Sequence, residues 1–74
     1  MDRIEIDSTL LAWIRYSPDQ HRLQLGFRAG KIYDYLEVPV QVYNELLLAD
    51  SKGRYFNSHI RNNFRTESIP APQN

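Results

Sequence analysis

A chain of 74 residues has room for one hydrophobic core and buries only roughly 60% of the surface its unfolded form exposes. Cysteine is absent, which excludes disulfides and thiolate metal sites, and no run approaches the ~20 apolar residues of a membrane-spanning helix. Nine Lys and Arg balance nine Asp and Glu, yet residues 1–50 carry five bases against eight acids and residues 51–74 four against one. The start, Met1-Asp2-Arg3-Ile4-Glu5, lacks the basic opening and apolar run of a signal peptide, so the sequence reads as cytoplasmic.

Ile4 and Ile6 alternate with Arg3, Glu5 and Asp7, suggesting a short first strand or an extended arm. Leu10 to Tyr16 is rich in β-formers, and Ser17-Pro18-Asp19-Gln20 carries the residues a type I turn favours. From His21 to Phe27, Leu23, Leu25 and Phe27 share one face against Arg22, Gln24 and Gly26, the pattern of a half-buried antiparallel strand. The turn that follows sets where the next strand points. A two-residue loop, Ala29-Gly30, would pair Leu25 with Asp34 and bring a carboxylate onto the apolar face. A three-residue loop, Arg28-Ala29-Gly30 with a left-handed Gly30, pairs Leu25 with Tyr33 and Leu23 with Tyr35 instead. The second register is preferred, because it sets Gln24 opposite Asp34 on a solvated face and avoids burying an unpaired charge.

Val38-Pro39 ends the sheet, with Pro39 placed in the first turn of a helix where its missing N–H costs nothing. Val42, Tyr43, Leu46 and Leu47 then recur at helical spacing and should cover the sheet. Asp50 or Ser51 can cap a second helix starting near Lys52, with Phe56 and Ile60 on its inner side. Residues 66–74, with Pro70 and Pro72, read as a disordered tail beyond a single domain of residues 1–65. The expected fold is α+β: an antiparallel meander of three to four strands packed by two C-terminal helices.

No arrangement suited to catalysis stands out, and neither a cofactor nor a metal is expected. His21 and His59 lie on different predicted elements, and Ser58 and His59, adjacent on a helix, point about 100° apart. Ser51-Lys52-Gly53-Arg54 lacks the glycine spacing of a phosphate loop, although a helix start beside two cations attracts anions. At 100° per residue Arg54, Ser58, Arg61 and Arg65 fall on one helical face. That stripe reads either as a track for phosphates, aided by Asn57, Asn62 and Asn63, or as a solvated cationic face. Tyr33 and Tyr35, two apart on a strand, read either as a base-stacking platform or, in the preferred register, as core.

Tyr16, Leu23-Gln24-Leu25-Gly26-Phe27, Gly30, Tyr33-Asp34-Tyr35, Val38-Pro39, Tyr43, Ala49-Asp50-Ser51-Lys52-Gly53-Arg54-Tyr55-Phe56-Asn57 and Ile60 together resemble the KTSC domain, over about residues 4 to 64. This short bacterial module also occurs at the C-terminus of some lysyl-tRNA synthetases. The resemblance implies a stand-alone bacterial or phage-encoded member, supplies no catalytic residues, and carries a suggestion of RNA binding by association with the synthetase. On this reading Lys52, Arg54, Arg61 and Arg65 would meet RNA phosphates, and Tyr33, Tyr35 or Tyr55 its bases. The other reading is a protein-interaction module, docking an acidic partner or pairing through a strand edge.

Overall fold

The computed structural model describes residues 3–69. Five strands form one antiparallel meander in chain order: β1 (Ile4–Glu5), β2 (Leu11–Ser17), β3 (Arg22–Phe27), β4 (Ile32–Tyr35) and β5 (Thr66–Ile69). Between β4 and β5 the chain makes helix α1 (Val40–Leu48), the short helix α2 (Lys52–Tyr55) and a wide π-helical turn (Phe56–Ile60). The class is α+β as expected, with five strands rather than three or four. No described helix is long and apolar enough to cross a membrane.

The loop after β3 has the three-residue geometry read from the sequence. Phe27 and Lys31 close it, Gly30 sits at φ 100°, and Leu25 faces Tyr33 while Leu23 faces Tyr35. A Cβ at Gly30 would meet nothing within 4 Å, so the glycine serves backbone conformation and not packing. The turn before β3 is closed by Gln20 N–H donating to the Ser17 carbonyl at 3.2 Å.

Strand β2 shifts register between Leu11 and Trp13, where one extra residue lets both Leu11 and Ile14 face inward. The core gathers these two with Tyr16, Leu23, Leu25, Tyr35, Val38, Tyr43, Leu46, Phe56 and Ile60. Tyr16 is fully buried, stacks on Tyr43 with ring centroids 4.8 Å apart, and donates its hydroxyl to the Val38 carbonyl at 2.6 Å. On the outer face Trp13 lies over Gly26, whose missing side chain makes the room, and Arg3 sits 5.0 Å above the indole.

Two expectations change here. Asp34 does share a face with Gln24, but only 6% of it is exposed. Its charge is met by the Arg22 guanidinium at 3.7 Å, which also holds Glu67 of β5 at 2.7 Å. Residues 66–69 are therefore a strand and not part of a tail: Tyr35 pairs with Thr66 and Asp34 with Glu67, and Leu36 N–H donates to the Arg65 carbonyl at 2.8 Å. The remainder of the expected tail, 70–74, lies outside the described residues.

Candidate functional site

Ser51 begins α2, its hydroxyl accepting from Arg54 N–H at 3.2 Å. After Tyr55 the helix widens, and its last bond runs from Arg61 N–H to the Phe56 carbonyl, five residues back, at 2.9 Å. Phe56 and Ile60 face the core as anticipated. Arg61 then leaves the helical conformation, and Asn62 reverses the chain at φ 70°, a left-handed geometry that Asn tolerates well. The helical run consequently ends at Ile60, and no single helical face carries Arg54, Arg61 and Arg65. A stripe drawn at 100° per residue assumed a regular helix that stops too early.

The reversal opens a groove of about 420 Å³ between the wide turn and the inner side of β3, β4 and β5. Its floor is apolar: Leu10, Phe27 and Phe56, with Phe27 edge-on to Tyr33 and Phe56 edge-on to both Phe27 and Tyr35. Its polar groups come from Tyr33, Tyr35, Asn57, Arg61, Asn62 and Thr66, and no carboxylate among the described residues lines it. None of these six side chains has a hydrogen bond or ion pair with another described residue. By contrast Arg3 meets Glu5, Arg22 meets Asp34 and Glu67, and Arg28 donates to the Ser8 and Ile6 carbonyls.

Tyr35 is only 5% exposed, yet it lines the groove. Burial chiefly, then the neighbouring Tyr33, pushes its pKa up to about 12, with the Arg61 charge opposing. It is a neutral donor at any physiological pH. Its ring face is spent on the core, so of the two tyrosines only the half-buried Tyr33 keeps much ring surface toward the groove.

The remaining candidates lie elsewhere. Lys52, half-buried, donates to the Ala49 carbonyl at 3.1 Å beside Asp7, Ser8, Thr9 and Asp50. Arg54 and Tyr55 border a shallower hollow with Asp50, Ser58 and His59. There Tyr55 donates to Glu45 at 2.6 Å and its ring lies against His59 at 4.4 Å. Burial, then that hydrogen bond and the Glu45 charge, push the Tyr55 pKa up to about 12. Arg65 is exposed just before β5, and Asn63 is occupied by the His59 carbonyl at 2.8 Å. The structure therefore brings together Tyr33, Tyr35 and Arg61, with Asn57 and Asn62, and separates Lys52, Arg54, Tyr55 and Arg65 from them. Thr66 escaped the sequence reading because it was assigned to the tail.

The family model of the KTSC domain matches residues 7–64. The chain belongs to the KTSC family. Among solved structures, a KTSC domain protein from Yersinia pestis superposes with a TM-score of 0.91 at 33% identity, over 93% of this chain and 97% of that one. An uncharacterized protein of Stutzerimonas stutzeri is 42% identical over 57 residues, covering 77% of this chain and 80% of that relative. A lysine–tRNA ligase of Nostoc sp. is 44% identical over 55 residues, 74% of this chain but 10% of the ligase. The KTSC domain thus corresponds to a small portion of that enzyme, and β5 lies beyond the family match.

Proposed function

We propose that this small module is non-catalytic and binds single-stranded RNA, with the groove beside Arg61 receiving one nucleotide unit. The observation that carries the reading is the convergence, in one groove, of five uncharged polar side chains with a guanidinium that has no ion pair among the described residues, none of whose carboxylates lines the groove. Such a surface attracts a phosphate, and its volume falls in the range of small-ligand sites. The apolar floor of Leu10, Phe27 and Phe56 offers a surface for an unpaired base. Similarity to a segment of lysine–tRNA ligases adds support. Catalysis is disfavoured by the separation of the reactive groups: Asp34 is on the opposite face of the sheet from Tyr33, and His59 with Arg54 borders another hollow.

Titration of a labelled single-stranded oligoribonucleotide at two salt concentrations tests this. Arg61→Ala should weaken binding and reduce the salt slope by about 0.7, the value for one phosphate contact on a single strand, whereas Arg54→Ala should do less. Equal affinity of wild type and Arg61→Ala would refute the assignment. A second reading rests on β5, a four-residue strand at the end of the sheet order with no further strand beside it among the described residues. It would pair with a strand of another protein, and capture of that protein after nuclease treatment would favour it.

A further inference from the structure

We propose that the groove is a phosphodiester site in which Tyr33 and Tyr35 act through their hydroxyls and not their ring faces. This rests on the proposed function in taking the groove as the binding surface, and goes beyond it in naming the group held and the role of the tyrosine pair.

Three observations carry it. Tyr35 is almost wholly buried, its ring edge-on to Phe56, yet the residue lines the groove and its hydroxyl has no partner among the described residues. The hydroxyl is not sealed from solvent, so it is open to water or to an acceptor on a ligand in the groove. Tyr33 is two residues away on β4, so the strand's alternation turns both side chains to the same face, and Thr66 faces Tyr35 across the ladder. Arg61 closes the set from the wide turn.

The charge of the set selects among oxyanions. One guanidinium, flanked by neutral hydroxyls and amides with no second cation among the described residues lining the groove, matches a phosphodiester with its single negative charge. A terminal monoester, at about −1.5 to −2, is matched less well. Phenol and guanidinium donors at one phosphate form charge-assisted bonds, so loss of either donor should cost about tenfold in affinity.

The test follows the Tyr33, Tyr35 and Arg61 side-chain resonances of the full chain during separate titrations with the dinucleoside monophosphate ApA, adenosine, 5′-AMP and glycerophosphocholine. ApA should shift all three residues and adenosine none, and 5′-AMP should bind more weakly than ApA. Tyr33→Phe and Tyr35→Phe, which keep the rings and hence the core, should each bind ApA about tenfold more weakly with an unchanged circular dichroism spectrum. Phe variants that bind as tightly as wild type would overturn the hydroxyl role, and equal responses to adenosine and ApA would overturn the phosphate. A response to glycerophosphocholine equal to that for ApA, with no binding of longer RNA, would uphold the phosphodiester site and refute the RNA reading. Binding of longer RNA without movement at these three residues would refute the site and leave RNA binding standing.

Discussion

Replacing Tyr16 by Phe removes one oxygen from the centre of the molecule. The ring is fully buried and stacked on Tyr43, and Phe keeps that packing. The loss is the 2.6 Å bond to the Val38 carbonyl, which is left in an apolar surrounding without its donor. A buried acceptor stripped of its partner costs about 1–3 kcal/mol. At the middle of that range, 2 kcal/mol lowers the melting temperature of a domain this size by about 8–16 °C. The loss is severe for so small a core, since marginal domains hold only about 5–15 kcal/mol in all. Urea unfolding followed by the fluorescence of Trp13, the single tryptophan, would measure it. The midpoint should fall with an unchanged slope, and Tyr43→Phe, whose hydroxyl has no partner among the described residues, should lose under about 0.5 kcal/mol. A Tyr16→Phe midpoint indistinguishable from wild type would refute the reasoning.

Gly26→Ala should destabilise by about 1–3 kcal/mol, because a Cβ there would stand 2.1 Å from the Trp13 ring and the indole would have to move. A shift in the Trp13 emission maximum reports the displacement. Arg22→Met, which keeps the aliphatic stem, should cost roughly 1–3 kcal/mol by leaving Asp34 buried without its counter-ion, and Glu67→Gln under about 1 kcal/mol, both read by urea unfolding. Tyr35 and Tyr55 have folded pKa values of about 12, above the ordinary 10, so their contribution to stability is complete below pH 10 and disappears as pH rises through 12. Phenolate absorbance should show these two tyrosines ionising late, together with alkaline unfolding, and Tyr55→Phe should remove one late step.

The sheet's central register was legible because one glycine and one charge decided it: Gly30 permitted the three-residue loop, and the alternative would have turned Asp34 toward the apolar face. The inner faces of α1 and of the segment after it were equally readable, since Tyr43, Leu46, Phe56 and Ile60 recur at helical spacing. Strand β5 was not. Its four residues between a turn and two prolines carry too short an alternation, and the interaction that identifies it, Glu67 with Arg22, spans 45 positions. The burial of Asp34 was missed for the same reason, because its cover comes partly from that strand. The candidate site was half visible. The sequence suggested Tyr33, Tyr35 and Arg61 as separate features, but a wide turn has no local signature, and a 100° period applied past Ile60 joined Arg61 to the wrong neighbours.

The wide turn also makes fold and groove genetically separable. A five-residue ring closed from Arg61 to Phe56 holds one residue more than the regular helical ring, and a one-residue deletion among the exposed positions 57 to 59 would let it tighten to ordinary helix. Strands β1 to β4 and α1 precede the change, so most of the sheet and of its core can persist. The positions that follow would turn by about 100° about the helix axis, carrying the guanidinium away from the tyrosine hydroxyls. Length variation at this single point among related chains would therefore mark which of them retain the groove.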